Sequence, residues 1–515
     1  MDFLSNRPPG FQGNGDRYLP AVIKKLTNYF KPRRKKLAAE IFPPLSNQQL
    51  RALSTALVEF SEDIHNDIGL WKSLEQYHRE FFGKSLPLIL PGRREMNAEA
   101  ISPYRIQHFI WVLNSQINPD FIPAPNHPEL MNLAEQLSEI LIGEFKKIPA
   151  DSGVKKFLEE PNEFGWQIKK KAVWMGTSSY LFRHCFQLYV EEHGGKPDIE
   201  TIDDFICQET TEWSGLGVID ILAAVLKISE KRRSELRSWY ERHTAIFKVQ
   251  SIEPPMMKAL NTFNEAPYHI RGDEACNFFK EGELILGSLY PCNNEWYWSG
   301  AQARLGHLAE KNIQELKDDF IQRSSNIVYR YRPDLVAKVK ENLAMQYEGF
   351  RKYFGEPLVV FPNTQKLNEG IAKFFQKFNE DRARELGRKA PKPTQFSKPF
   401  SEAFKAVPSG KAGLFFNADE GMETMLDFGG VISGFQKKGW ELSENEAEVI
   451  RQFIFSENIS PNFISYMIDQ YGIEAINAAF WIEPLNDKSA VEYMLRRYKG
   501  RFYRRRFPAV SIAGT

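Results

Sequence analysis

Cysteine is scarce in this sequence, and no two cysteines lie close together. The four that occur are Cys185, Cys207, Cys276 and Cys292. Zinc knuckles and redox pairs place their cysteines only a few residues apart, so this spacing indicates neither kind of site. A few isolated cysteines are also typical of proteins that work in a reducing compartment.

Long apolar runs are missing as well. No segment approaches the roughly 18 uninterrupted apolar residues that a membrane-spanning helix requires. Residues 1–20 lack the basic stretch followed by an apolar run that marks a secretory signal. Together with the sparse cysteines, these absences predict a cytoplasmic protein with no membrane partner.

The chain carries almost no net charge. Its 67 lysines and arginines nearly balance 66 aspartates and glutamates, which leaves a formal charge of +1. The field of the whole molecule therefore does not attract polyanions, and any affinity for nucleic acid has to come from a local cluster of cations. Phenylalanine is abundant at 39 residues, which favours several Phe-packed cores over aromatic-lined binding surfaces.

Recognisable catalytic and metal-binding motifs are also absent. The sequence has no Gly-x-Ser-x-Gly nucleophile turn and no pairing of cysteine with histidine that spacing alone supports. Asp63, His65 and Asp67 lie close in sequence, but on a helix Asp63 and Asp67 share a face while His65 points elsewhere. We therefore predict no metal and no cofactor, and the sequence leaves open whether the protein is an enzyme.

Amphipathic helical patterns fill most of the chain and predict a mainly α fold with a small antiparallel β unit, an α+β arrangement in several domains. Shifts in composition divide the chain into predicted segments. These are an N-terminal basic segment (1–45), a helical domain (46–245), the β unit (246–306), a helical region with one strand (307–387), a basic Pro-rich linker (388–410) and a mainly helical region with a basic aromatic tail (411–515).

The longest predicted helical stretch runs from 46 to 82, with a bend or a boundary at Gly69. Ser46 or Asn47 is its predicted cap, because a short polar side chain can accept from the free amides of the first turn. The preceding segment carries a basic cluster. It consists of Lys24, Lys25, Lys31, Arg33, Arg34, Lys35 and Lys36. Pro32 lies inside this cluster and is predicted to end one short helix before a second one starts.

The β unit alternates apolar and polar residues and contains a Pro-Cys-Asn-Asn turn at 291–294. Alternation places either Tyr297 or its neighbours Trp296 and Trp298 in the core of the unit. For the residues that point inward, a role in the core is favoured over a role in ligand binding. Trp296 and Trp298 remain candidate binding residues, either in an aromatic recognition groove or at an interface within an assembly.

The strongest local signal is the C-terminal segment 496–507, in which arginines alternate with aromatic residues. Guanidinium groups attract phosphates and flat rings stack on unpaired bases, so this mixture favours single-stranded nucleic acid. The candidate binding residues are Arg496, Arg497, Tyr498, Lys499, Arg501, Tyr503, Arg504, Arg505 and Arg506. The alternatives are a solvated tail whose rings dock on the protein's own surface, and a contact with an anionic partner protein.

The leading hypothesis is therefore a non-catalytic binding or scaffold protein that contacts nucleic acid or another anionic partner through its basic terminal segments. The alternative is an enzyme with an unrecognised site, most plausibly a phosphodiester hydrolase. A cleft that gathers several carboxylates with shifted pKa values would favour the hydrolase. The sequence makes no prediction of oligomeric state.

Overall fold

The structure is a computed structural model that describes residues 3–42, 44–82, 100–117, 125, 127–162, 165–208, 216–272, 276, 278–306, 308–323, 333–389, 410–437, 441–456, 458–480 and 489–503. These residues form two compact units. The first comprises the chain up to Asp318 together with Leu485–Arg504, and the second comprises the intervening Asp319–Pro484. The prediction of a mainly α chain with a small β unit is confirmed. The predicted linker at 388–410 lies almost entirely outside the described residues.

Helices precede the β unit in the first compact unit. They are α1 (Leu19–Glu40), α2 (Asn47–His65), α3 (Leu70–Phe82), α4 (Pro103–Ile117), α5 (Pro128–Phe145), α6 (Gly153–Glu159), α7 (Trp166–Ser178), α8 (Arg183–Glu192), α9 (Ile199–Gln208), α10 (Val218–Val225) and α11 (Glu230–Ser238). After the β unit come α12 (Glu310–Arg323) and the C-terminal α19 (Ser489–Tyr498) and α20 (Gly500–Tyr503). Most helices that precede the β unit turn an apolar stripe towards their neighbours, which is what a helical layer requires.

The start of α2 confirms the predicted cap. The Ser46 hydroxyl accepts from the Gln49 amide, and the Gln49 side chain accepts from the Ser46 amide, which is a capping box. The predicted break at Pro32 is wrong, because α1 continues through it. Pro32 is exposed, so water can satisfy the carbonyl that loses its amide donor, while buried residues on both sides, such as Phe30 and Leu37, hold the helix together.

The β unit is a closed five-stranded barrel. Its strands are β1 (His243–Glu253), β2 (Met256–Asn261), β3 (Pro267–Arg271), β4 (Leu284–Cys292) and β5 (Glu295–Gly306), in the order β1-β2-β3-β5-β4. Every pairing is antiparallel except β3 with β5, which is parallel. This order and these directions are those of the OB barrel, a Greek-key fold. The sequence did not predict β2, because Pro254 and Pro255 read as an interruption, whereas in the structure they form the β1–β2 turn.

Aromatic rings fill the inside of the barrel, with Phe247 at their centre. Its ring lies 5.7 Å from the rings of both Tyr268 and Trp298, and Tyr268 lies 4.9 Å from Trp296. Strand alternation thus puts both tryptophans of β5 inside and Tyr297 outside. The sequence left open whether Tyr297 or the two tryptophans face inward. The structure shows that the tryptophans do, which favours a core role for them.

Helix α9 docks on the β4–β5 side of the barrel through buried polar contacts. The Ser299 hydroxyl donates to Asp203 at 2.6 Å, and Arg242 Nε donates to Ser299 Oγ at 3.0 Å. Asp204 pairs with Arg242 and accepts from the Tyr189 hydroxyl at 2.6 Å. The helical layer and the barrel are therefore joined by a specific hydrogen-bonded seam within one compact unit.

The second compact unit packs helices around a three-stranded antiparallel sheet of order β6-β7-β8. Its strands are β6 (Leu358–Phe361), β7 (Ala412–Asn417) and β8 (Gly421–Met425). Its helices are α13 (Pro333–Phe354), α14 (Thr364–Glu385), α15 (Phe428–Gln436), α16 (Glu444–Phe455), α17 (Pro461–Tyr471) and α18 (Glu474–Ala479). Phe350, Phe374 and Phe416 form its buried centre, which agrees with the expectation of Phe-packed cores. Ser443 and Glu446 form a capping box at the start of α16.

A pair of neighbouring substitutions tests the barrel packing. Phe247→Ala should lower the free energy of unfolding of the first unit by about 3–5 kcal/mol, because Phe247 is fully buried among other rings. Lys248→Ala removes the next side chain, which is exposed, and should change it by less than about 0.5 kcal/mol. Differential scanning calorimetry of both variants provides the measurement. Equal shifts in melting temperature would contradict the assignment of inside and outside.

Candidate functional site

The described part of the C-terminal basic segment is largely buried. Arg496 and Arg497 are 4% and 7% exposed, and Lys499 is fully buried. Arg496 pairs with Glu492 one helical turn earlier, and the Tyr498 ring lies 6.1 Å from the buried Trp111 of α4. Docking of the segment on the protein itself was one of the alternatives weighed from the sequence. An external polymer does not reach these three cations in this structure.

The rest of that segment adds little exposed surface among the described residues. Tyr503 is half-buried, and burial raises the pKa of its hydroxyl to about 12. Arg504, Arg505 and Arg506 lie outside the described residues, and nothing is described for the Arg501 side chain. The binding roles proposed for this segment therefore stay predictions.

The N-terminal basic cluster is exposed. It lies on α1, whose opposite face buries Val22, Leu26 and Phe30 against the helical layer. Lys24, Lys31 and Lys35 are seven and four residues apart, so at 3.6 residues per turn they share one face. At a rise of about 1.5 Å per residue, this lysine strip (Lys24, Lys31 and Lys35) is about 16 Å long.

The cations around the lysine strip differ in their partners. Lys25 pairs with Glu144 at 2.7 Å, and the Arg33 guanidinium lies 3.9 Å from the centre of the Tyr29 ring. Within the described part of the chain, the three lysines of the strip have no carboxylate partner. The strip thus presents three solvated cations to anything that approaches α1, and we take it as the candidate functional site.

A second polar cluster lies inside the helical layer, where α2 carries Glu59, Glu62 and Asp63 on one face. All three are less than 10% exposed. Arg7 donates to both oxygens of Glu62 at 2.6 and 2.7 Å, and Ser152 donates to the same carboxylate. Arg183 donates to Glu59 at 2.5 Å. Sequence reasoning missed this network, because its partners lie far apart along the chain.

Asp63 serves as the cap of α3. Its carboxylate accepts from the amides of Gly69, Leu70 and Trp71 at 2.7–3.1 Å and from the Tyr180 hydroxyl at 2.7 Å. Burial raises the pKa of Asp63 to about 6, although these four hydrogen bonds oppose the rise. Burial also raises the pKa of Glu59, against the pull of Arg183.

The network resembles the acidic cleft that the hydrolase alternative predicts, but its carboxylates are occupied. Arginines hold Glu59 and Glu62, and helix amides hold Asp63, so the groups act on one another rather than on a ligand. Among the described residues, no group of three or more His, Cys, Asp or Glu side chains is arranged to hold a metal ion. The network's evident role is to fasten residues 3–18 to the helical layer.

The structure also shows the state of the cysteines and the apolar character of the helices. All four cysteines are free, and burial raises the pKa of Cys207 to about 12 and that of Cys292 to about 11. These two thiols are therefore poor nucleophiles at neutral pH. Across the described ranges, no helix combines the length and the apolar character needed to cross a bilayer.

Comparison with known proteins gives one match. The model of a family described as a protein of unknown function (DUF3843) matches residues 34–206, about a third of the chain. No curated protein and no solved structure matches the chain. The matched stretch contains the carboxylates of α2 and Lys35, but not Arg7, the barrel or the start of the lysine strip.

The pKa of Asp63 predicts how stability depends on pH. Because the folded-state pKa of about 6 lies above the usual 3.8, the folded state holds this proton more tightly than the unfolded state does. The stabilisation is complete below pH 3.8 and is lost as the pH rises through 6, a change of roughly 3 kcal/mol. Asp63→Asn lacks this titration, so its melting temperature relative to that of the wild type should rise as the pH increases towards neutrality.

The control for this prediction is Asp67→Asn, which alters an exposed carboxylate in the following turn. Its melting temperature should run parallel to that of the wild type over the same pH range. Parallel curves for Asp63→Asn as well would show that Asp63 does not titrate as described.

Proposed function

We propose that this chain is a non-catalytic protein that binds nucleic acid, and that the lysine strip on α1 contacts the phosphates. The sequence predicted that both basic terminal segments bind an anionic partner. The proposal keeps this role for the N-terminal segment. The observation that carries it is the exposure of Lys24, Lys31 and Lys35 on one face without carboxylate partners among the described residues. Such cations release counterions from a polyanion when they bind it.

Two further observations support this proposal. The barrel has the strand order of OB folds, many of which bind oligonucleotides. Because a fold alone does not imply a function, this likeness is only an analogy. The four free cysteines agree with a cytoplasmic site of action, which we propose as well.

Catalysis is not part of the proposal. The described acidic groups that come closest to a hydrolytic site are those on α2, and Arg7, Arg183 and the amides of α3 engage them. A phosphodiester hydrolase needs carboxylates that can bind a metal ion or activate water. An anionic partner protein remains the competing occupant of the lysine strip, and failure of the wild type to bind oligonucleotides at low ionic strength would favour it.

A charge-reversal experiment tests the lysine strip. Fluorescence anisotropy would measure the binding of labelled single-stranded and duplex oligonucleotides over a series of salt concentrations. The variant Lys24→Glu, Lys31→Glu, Lys35→Glu should bind more weakly than the wild type. Its slope of log affinity against log salt should be shallower by about 2–3, because three phosphate contacts are lost.

A matched control separates the strip from the overall charge of the molecule. Lys196→Glu, Lys231→Glu, Lys338→Glu makes the same charge change at three exposed lysines on other elements. This control should leave the affinity and the salt slope close to those of the wild type. Equal losses in both triple variants, or no binding by the wild type at low ionic strength, would overturn the proposal.

A further inference from the structure

The sheet of the second compact unit has an accessible edge. Strand β6 lies at this edge and pairs with β7 alone. None of the residues of β6 is buried, whereas every residue of β7 is. A strand with a single neighbour presents a row of main-chain N–H and C=O groups on its other side.

The register shows which main-chain groups of β6 face outward. The Phe416 amide donates to the Pro357 carbonyl at 2.8 Å. In an antiparallel pair, residues that bond to the neighbouring strand alternate with residues that do not. Val359 is two residues beyond Pro357 and so bonds to β7 in the same way. Leu358 and Val360 therefore direct their amides and carbonyls away from β7, where no described residue bonds to them.

The side chains of β6 alternate as well. Val359 and Phe361 pack against the phenylalanine core of the unit. Leu358 and Val360 point to the opposite face of the sheet, since successive side chains of a strand alternate. The Val360 side chain is 37% exposed. A further strand beside β6 would thus gain main-chain hydrogen bonds and would also cover an apolar side chain.

The other edge of this sheet, β8, is protected by a charged residue. The Glu423 carboxylate accepts from the Ser460 amide at the start of α17 at 2.8 Å and from the Asn417 side chain at 2.9 Å. A charge on an edge strand discourages further pairing. Strand β6 has no charged residue, so it is the edge that suits an added strand.

Prolines limit the length of the open edge. Pro357 precedes β6 and Pro362 follows it. Proline has no amide hydrogen and cannot donate to a strand ladder. Only Leu358 and Val360 can therefore exchange both hydrogen bonds with an added strand. A short edge of this kind accepts a short segment but does not support unlimited growth of the sheet.

A carboxylate lies at one end of the open edge. Glu356 immediately precedes Pro357, is exposed, and pairs with no cation among the described residues. Burial raises the pKa of Tyr466 on α17, and the charge of Glu356 adds to the rise, so the two side chains are close. The Tyr466 ring lies 5.4 Å from that of Phe415, on the face that Leu358 shares. This end of the edge favours a basic residue in the partner.

The size of the edge decides between two kinds of partner. Alternating amides and carbonyls are satisfied best by another extended backbone, which either a second copy of this chain or a peptide can supply. Specific dimers take roughly 20–30 residues from each partner, whereas β6 has four. An extended peptide is held on such an edge by main-chain bonds and selected by its alternate side chains. A peptide therefore fits β6 better than a second copy does.

We propose that β6 is a docking strand for an extended peptide segment of a partner protein, which adds to the sheet antiparallel to β6. β-Branched residues of the peptide lie opposite Val360 and Leu358, because such pairs stabilise a sheet. A lysine or arginine two residues further on lies opposite Glu356. The inference does not depend on the proposed nucleic-acid binding, since β6 and the lysine strip lie in different compact units.

The first test measures hydrogen exchange at single amides by mass spectrometry. In the free chain, the amides of Leu358 and Val360 should exchange faster than those of Val359 and Phe361, which bond to β7. The probe peptide Ser-Thr-Val-Thr-Val-Thr-Lys-Ser should slow the two fast amides. Equally slow exchange at all four amides of the free chain would overturn the open edge.

The second test measures the affinity of the labelled probe peptide by fluorescence anisotropy. Methylation of both valine nitrogens of the peptide removes two donors and should weaken binding by about 5- to 150-fold, the range for two hydrogen bonds. Equal affinity of the methylated and unmethylated peptides would overturn strand addition, as would no binding of either peptide.

A substitution in the protein gives the matching result. Val360→Pro removes an outward amide without removing a bond to β7, and should weaken peptide binding by about 2- to 12-fold, the range for one hydrogen bond. Continued protection of the Val359 and Phe361 amides in this variant would show that the sheet is intact. Unchanged affinity with an intact sheet would contradict the proposal.

The third test concerns the charge at the end of the edge. Glu356→Gln should weaken binding of the lysine peptide by up to about 5-fold, which is the upper range for an exposed ion pair. The same peptide with glutamine in place of lysine should bind both proteins equally. Equal losses for the two peptides would overturn the role of Glu356.

Light scattering tests the competing occupant. The molar mass of the wild type and of Val360→Pro should be the same. A dimer that Val360→Pro dissociates would show that a second copy occupies the edge, and would overturn the peptide as the partner. None of these measurements involves nucleic acid, so the docking strand and the lysine strip can each fail alone.

Discussion

Two adjacent carboxylates on α9 decide which side of the barrel meets solvent. Asp203 binds Ser299 and Lys169, while Asp204 binds Arg242 and Tyr189. Asp203 and Arg242 are almost fully buried, so removing one partner would leave an uncompensated charge in a dry environment. The seam therefore holds the barrel in one orientation on the helices, and alternate residues of β2 and β3 on the other side stay exposed.

Many charged side chains of the first unit are buried, so a charged residue in the sequence does not by itself indicate a surface position. The carboxylates of α2 and the cations of α19 look in the sequence like solvated or ligand-binding groups, yet both sets are enclosed. Each of the α2 carboxylates has a partner from a distant part of the chain, namely Arg7, Arg183 or Tyr180. These contacts impose specificity on the packing, because a displaced partner leaves a charge without solvent.

Local patterns were enough to predict the helical layer, the cap at Ser46 and most strands of the barrel. They failed where a distant contact decides the outcome. The apolar face on both sides of Pro32 keeps α1 whole, and the pairing of β3 with β5 closes the barrel, although neither effect is visible within a short window. Alternation at 296–298 is compatible with either Tyr297 or the two tryptophans facing inward. The contact of Trp298 with Phe247 shows that the tryptophans face inward. The contact of Tyr498 with Trp111 likewise joins α19 to α4, far away in the sequence.

The second unit is inserted in the chain of the first, which makes the order of synthesis matter. Helix α4 receives the ring of Tyr498 against Trp111 only after the residues of the whole intervening unit have been made. Domains generally fold as units during synthesis, starting from the N-terminal end. The second unit can therefore finish folding on the ribosome before Tyr498 packs against Trp111 of α4. Until α19 has been made, the core of the first unit lacks the side chains that this helix contributes.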